Sequence, residues 1–186
     1  EKYPNSGQIK EMRSSTIGLI GFGAIGRLVV GLLRPFHCCI LINDPYVPKE
    51  EIEKYGCKAV SKEELLKEAD IVSLHGRIGP NDPPIIGKKE LSMMHKNSYL
   101  INTARAVLVD MDALYEALKA HDIMGAAIDV FPKEPLPDNY PLLSLDNCTL
   151  TNHRGGDTID SYNRAPEQLL EQFQEVLKTG STKYMI

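Results

Sequence analysis

The sequence predicts an α/β fold built on a doubly wound parallel sheet, and three observations carry that prediction. Short apolar runs recur along the 186 residues: Thr16 to Ile20, Cys38 to Ile42, Ile71 to Leu74, Tyr99 to Asn102, Gly125 to Val130 and Cys148 to Thr151. Stretches that can form helices separate most of them. Polar residues with chemical potential fall at or just after the ends of the runs, not inside them. Strands alternating with helices imply parallel βαβ units with helices on both faces of the sheet. In such sheets ligands bind outside the carboxyl ends of the strands.

The first unit, Thr16 to Asp44, sets the type. A buried strand meets Gly21-Phe22-Gly23-Ala24-Ile25-Gly26, a G-x-G-x-x-G, and apolar residues at Ile25, Leu28, Val29, Leu32 and Leu33 then fall at helical spacing. A second strand follows and ends at Asn43-Asp44. In this context Gly21 permits a tight turn, Gly23 lets the backbone approach a pyrophosphate and Gly26 lets the helix pack on the strand. The N–H groups opening the helix, at Ala24 and Ile25, face the anion. Asp44 lies at about the 20-residue spacing at which a carboxylate accepts hydrogen bonds from the ribose hydroxyls. It would repel a 2′-phosphate, and no Arg or Lys follows before Lys49, so the expected cofactor is NAD and the sheet is of the Rossmann type. A glycine turn with a solvated acid is the bland alternative, and the flanking strand and helix weigh against it.

Further along, Lys49 to Tyr55 reads as a short helix ended by Gly56, and Cys57 to Val60 as a short strand. Ser61 is an N-cap with Glu64 at the capping-box position. Gly76 to Gly87 is a Gly/Pro loop, Lys88 to Met94 one or two helical turns, and Asp110 to Ala120 a patterned helix. A proline-rich loop spans Phe131 to Pro141, and a last helix is expected from about Pro166 to Lys178.

Composition narrows the class. A chain that is 42% apolar can bury one good core, and no run of ~18 apolar residues could span a membrane. A net charge of −4 without a basic run gives no electrostatic reason for nucleic-acid binding. Cys38, Cys39, Cys57 and Cys148 form no CxxC pair and read as reduced, buried thiols of a cytoplasmic protein, with no metal site expected. Residue one is Glu, and Glu1 to Met12 has neither a signal peptide's apolar centre nor a recognisable domain start, which suggests a cut from a longer polypeptide.

Three strand-end residues form a plausible reactive set. Arg105 offers a planar, permanently charged fork suited to a carboxylate. His153 can take a hydroxyl proton as hydride leaves and return it in reverse. Glu134, if near, would raise the imidazole pKa and fix its tautomer. Together they describe oxidation of an alcohol beside a carboxylate. Singly, each also reads as an ordinary loop residue.

INTARAVLVDMDALYEAL around Arg105, GAAIDVFPKEPL from Gly125 and LTNHRGGDT around His153 closely resemble the D-isomer-specific 2-hydroxyacid dehydrogenase family, which includes phosphoglycerate and D-lactate dehydrogenases. The resemblance implies that Arg105 holds the substrate carboxylate and carbonyl, Glu134 supports His153, and His153 is the acid/base. It implies that Asp129 meets the nicotinamide carboxamide. Thr103, inside the NTAR motif, joins the expected cofactor-binding set, as does His75, which either borders the nicotinamide or packs at the strand end. Ala106 stands where glycine is frequent, and His75-Gly76-Arg77-Ile78-Gly79 where histidine, proline and threonine are common. Arg77 and Arg154 read as solvated rather than substrate-binding.

The resemblance also implies an organisation: residues 1–15 a remnant or linker, 16–157 the NAD-binding domain, and 158–186 a helix returning to a substrate domain absent from this chain. The expected activity is hydride transfer between nicotinamide and C2 of a small 2-hydroxy or 2-keto acid, 3-phosphoglycerate being one option. A homodimer through the coenzyme domain is expected, and the isolated domain should turn over poorly because closure cannot exclude water. The alternative from another class is a non-catalytic, NAD(H)-sensing corepressor-like protein, since such proteins share the fold and keep the three residues. Formate dehydrogenase is disfavoured, because that branch lacks the glutamate that Glu134 supplies.

Overall fold

Seven strands align in parallel in the order β3-β2-β1-β4-β5-β6-β7 in the computed structural model, which describes residues 10–79 and 81–182. They are β1 (Thr16–Ile20), β2 (Cys39–Asn43), β3 (Lys58–Ala59), β4 (Ile71–Leu74), β5 (Tyr99–Asn102), β6 (Gly125–Ile128) and β7 (Cys148–Leu150). Between them lie α1 (Ala24–Leu33), α2 (Lys49–Glu53), α3 (Lys62–Glu68), α4 (Lys88–Leu91) and α5 (Met111–Lys119). The chain divides into two compact units at the step from Asn152 to His153. Part of the expected N-terminal remnant, residues 1–9, lies outside the described residues, as does Pro80 in the Gly/Pro loop.

Side-chain alternation sorts the apolar runs into two layers. Ile17 and Leu19 of β1, with Ile40 and Ile42 of β2, pack with Val30 of α1 and Ile52 of α2. Ile20, Leu41, Val72, Leu74, Leu100 and Ile128 face Leu65 and Leu66 of α3, Leu91 of α4 and Leu114 and Leu118 of α5. Helices therefore cover both faces, and each fully buried Leu or Ile contributes roughly 1.5–3 kcal/mol. Caps fix the helix starts: Ser61 accepts from the Glu64 amide at 3.1 Å and Asp110 from the Ala113 amide at 3.0 Å.

Only part of the apolar stripe that marks α1 as a helix packs inward, at Val29 and Leu33. Ile25, Leu28 and Leu32 are 59%, 65% and 74% exposed, and the buried residues are Gly26 and Val30. Periodicity identifies the helix, whereas the sheet chooses its inner face.

At the amino edge of the sheet, Asp70 is buried and holds three groups together. Its carboxylate accepts from Lys10 Nζ at 2.6 Å and the Thr16 amide at 2.9 Å, with His95 Nε2 at 3.7 Å. Burial alone would raise this carboxyl, but the hydrogen bonds from Lys10 and Thr16 and the charges of Lys10 and His95 outweigh it and hold it below the ordinary value. A depressed carboxyl contributes stability above the unfolded value near pH 4 that is lost as pH falls through the folded value. Asp70→Asn is therefore expected to lower stability at pH 7 by about 1.5–3 kcal/mol and to flatten its fall between pH 4 and lower pH, as read by urea denaturation across pH. An unchanged acid limb would refute the assignment.

The cysteines only partly match expectation. Cys57 is buried, but Cys38 and Cys148 are half-buried and Cys39 is exposed, because it opens β2 at the sheet's amino edge opposite Thr16. Burial pushes the Cys57 and Cys148 thiols up to about 11, so both stay protonated at neutral pH.

The second unit contains α6 (Ile159–Thr179). It starts seven residues before the expected Pro166, which lies inside the helix. The cause is local: Thr158 caps the first turn by accepting from the Ser161 amide at 3.1 Å, and an apolar stripe from Ile159 through Tyr162, Leu169, Phe173 and Leu177 continues across the proline. Gly180, at φ 77, closes the helix in the left-handed region.

Candidate functional site

The winding direction reverses between β1 and β4, so a crevice opens at their carboxyl ends. Gly21 sits there at φ +102, its amide donating to Asn43 O at 2.9 Å, while the His75 amide donates to Ile20 O at 2.8 Å. A Cβ on Gly21 would lie 2.4 Å from the Gly76 amide nitrogen, and one on Gly26 2.5 Å from Gly21 O. Only glycine fits either place. Around Gly23, by contrast, no atom lies within 4 Å of a built Cβ.

The first turn of α1 carries no side-chain cap and no acidic residue, with Gly23 as N-cap and Ala24 and Ile25 following it. Phe22, between the first two glycines, is fully buried against Tyr55 (ring centroids 5.1 Å apart), and the Arg27 guanidinium lies 4.5 Å over its ring. Arg27 is in turn paired with Glu51 at 2.6 Å. This clasp holds the turn from behind, and the sequence signalled neither Arg27 nor Tyr55.

Asp44 does more than end a strand. Its Oδ2 accepts from the Phe22 amide at 2.7 Å and its Oδ1 from the Tyr46 amide at 2.9 Å. A carboxylate has about four acceptor positions, so each oxygen keeps one for a ribose hydroxyl. These features fit a dinucleotide: an open glycine turn, an uncapped helix start and an acid with acceptor capacity left.

Farther along the same edge, the loop after β5 carries Thr103 and Arg105, both exposed. Asn102, fully buried, shapes it: its Nδ2 donates to Arg105 O at 2.9 Å and its Oδ1 accepts from the Ala104 amide at 3.1 Å. Its main-chain carbonyl accepts from the Asp129 amide at 3.0 Å, tying the loops after β5 and β6 together. Asp129 is buried and takes a hydrogen bond from Thr151 Oγ1 at 2.5 Å. Glu134 Oε1 accepts from the Phe131 amide at 3.0 Å. Asn102→Ala would strand two backbone groups, and the expected loss is about 2 kcal/mol, measured as a lower urea midpoint at constant slope. A midpoint equal to wild type would show that the loop holds without the amide.

Asn102 was visible in the sequence as a strand-end residue two before Ala104, a spacing that allows an Asx-type turn, but its hold on Arg105 and Asp129 was not. Thr151 gave no signal.

His153 opens the second unit, exposed and in the left-handed region at φ 56, which is uncommon outside glycine. Arg154 pairs with Asp157 within the same loop, and Arg77 is exposed. Arg105 and Glu134 lie on the carboxyl edge of the first unit, after β5 and β6.

The sequence model of the D-isomer specific 2-hydroxyacid dehydrogenase, NAD binding domain, matches residues 1–155. The chain belongs to this family. NAD is the family domain's cofactor, and the acid at position 44 suits it. The D-3-phosphoglycerate dehydrogenase of Methanocaldococcus jannaschii is 43% identical over 169 residues, covering 90% of this chain and 32% of the relative. A glyoxylate reductase of Korarchaeum cryptofilum is 38% identical over 157 residues, 84% of this chain and 47% of its own. A D-lactate dehydrogenase from Lactobacillus jensenii, solved with NAD+, superposes with a TM-score of 0.84 at 31% identity, covering 100% of this chain and 59% of that one. The chain spans less than half the length of these two curated relatives.

Proposed function

We propose that this chain is the coenzyme domain of an NAD-dependent oxidoreductase that interconverts a small 2-hydroxy acid and its 2-keto acid. The observation that carries the reading is Asp44, which braces the glycine turn through Phe22 and keeps acceptor capacity beside it. Gly21, Gly23 and Gly26 with the Ala24 and Ile25 amides receive the pyrophosphate, Asp44 the ribose, and His75, Thr103 and Asp129 the nicotinamide end. When bound, NAD supplies the hydride acceptor.

The chain's own side chains do the rest. Arg105 binds the substrate carboxylate and orients C2. His153 takes the hydroxyl proton as C2 is oxidised and returns it in the reduction. Glu134 supports His153 in that role. The test is NADH absorbance with the full-length protein and a panel of 2-keto acids that includes glyoxylate and phosphohydroxypyruvate. Oxidation by at least one member is expected, and no oxidation by any would overturn the reading.

The extents of the relatives support the organisation, in which residues 158–186 return to a substrate domain. A native gene product of about this mass with full activity would contradict it. The exposed face of α1 supports a homodimer through the coenzyme domain, because Ile25, Leu28 and Leu32 form an apolar patch that a second copy can cover symmetrically. Solution scattering giving monomer mass at high concentration would refute that. Four free cysteines suit a reducing, cytoplasmic setting, and among the described residues no helix is long and apolar enough to cross a membrane. Localisation of the tagged native protein outside the cytoplasm would contradict the former.

A further inference from the structure

Ser73 is a polar residue in the middle of an apolar layer. It lies in β4 between Leu19 of β1 and Ile101 of β5, and is only 9% exposed. The strand groups around it are engaged in the parallel ladder. Its hydroxyl lies 3.0 Å from Nε2 of His75, two residues on and on the same face of the strand. Among the described residues no other side-chain hydrogen bond engages this hydroxyl.

This pairing decides where the imidazole carries its proton. A buried hydroxyl that fails to donate costs about 1–3 kcal/mol, and the acceptor within reach is the Nε2 lone pair. If Nε2 carried the proton and donated to Oγ, the hydroxyl hydrogen would point into the apolar layer without a partner. The favoured arrangement is therefore O–H···Nε2, which leaves the proton of the neutral ring on Nδ1. Burial also lowers the His75 imidazole below its ordinary value, which keeps the ring neutral.

We infer that Ser73 is a positioning residue: by donating to Nε2 it holds His75 as the neutral Nδ1–H tautomer, a hydrogen-bond donor for an uncharged carbonyl acceptor on the bound dinucleotide. The acceptor class follows from the donor. A neutral N–H suits a carboxamide or similar oxygen, and it adds no charge beside a site that handles hydride. The inference rests on the dinucleotide reading of the crevice at the ends of β1 and β4, where His75 sits next to Gly76 and the turn at Gly21.

Long-range nitrogen–proton NMR of His75 in this chain, with and without NADH, tests it. In the wild type, Nε2 should give the shift of an unprotonated ring nitrogen and Nδ1 that of a protonated one. Ser73→Ala should shift the ring toward the Nε2–H form and weaken NADH about 5–10-fold, the equivalent of one neutral hydrogen bond. Ser73→Thr, which keeps the hydroxyl, should restore both tautomer and affinity. A wild-type Nε2–H tautomer, or a Ser73→Ala variant with unchanged tautomer and affinity, would overturn the inference. If the wild type shows the Nδ1–H tautomer but does not bind NADH, the dinucleotide reading fails and with it the ligand assigned to His75.

Discussion

Replacing His153 by alanine in the full-length protein is expected to lower kcat for 2-keto acid reduction about 10²–10⁴-fold, the range of a positioned acid/base, with NADH affinity unchanged. The backbone adds a control. His153 sits at φ 56, where an alanine costs roughly 1–2 kcal/mol and asparagine is tolerated. His153→Asn should therefore lose as much activity as His153→Ala while melting closer to wild type. If the asparagine variant keeps more than about a tenth of the activity, the loss in alanine comes from the loop and not from proton transfer, because a tenfold change is small against the expected range.

Asp44→Ala should have the second largest effect, and through two routes at once. The variant loses the acceptors for the ribose, worth about 1.5 kcal/mol or more for each charge-assisted hydrogen bond, so NADH affinity should fall on the order of 100-fold. It also releases the Phe22 and Tyr46 amides, which loosens the glycine turn itself. Removing the acid should therefore not convert the site to NADP. Repulsion of a 2′-phosphate disappears, but the pyrophosphate turn loses its brace, and NADPH should still bind more weakly than NADH binds the wild type. Titration of both nucleotides checks this. An Asp44→Ala variant that binds NADPH as tightly as the wild type binds NADH would show that the brace is dispensable.

What the sequence made legible is what depends on neighbours along the chain. The strands of the sheet follow from apolar runs, the glycine turn from spacing, and the starts of α3 and α5 from Ser61 and Asp110. Pro166 reads as a helix start because proline commonly opens a helix, whereas α6 begins after the capping Thr158, eight residues earlier. Which face of α1 is buried could not be read, since Ile25, Leu28 and Leu32 are as apolar as the residues that pack inward.

The site shows the same division. Gly21 and Asp44 were visible because their roles belong to one βαβ unit. The groups that hold the site in shape join elements far apart in sequence: Asn102 with Asp129, Thr151 with Asp129, and Arg27 with Glu51. None of these pairs has a spacing that a single sequence reveals. Ser73 and His75 were adjacent enough to see, yet only burial of the hydroxyl shows that the ring must accept from it.

The most direct measurement of the central claim is a calorimetric titration of this chain with NADH and with NADPH. A braced glycine turn with an acid beside it predicts saturable binding of NADH at one site, about tenfold or more tighter than NADPH, a difference of at least ~1.4 kcal/mol. Equal or tighter binding of NADPH, or no binding of NADH, would contradict it.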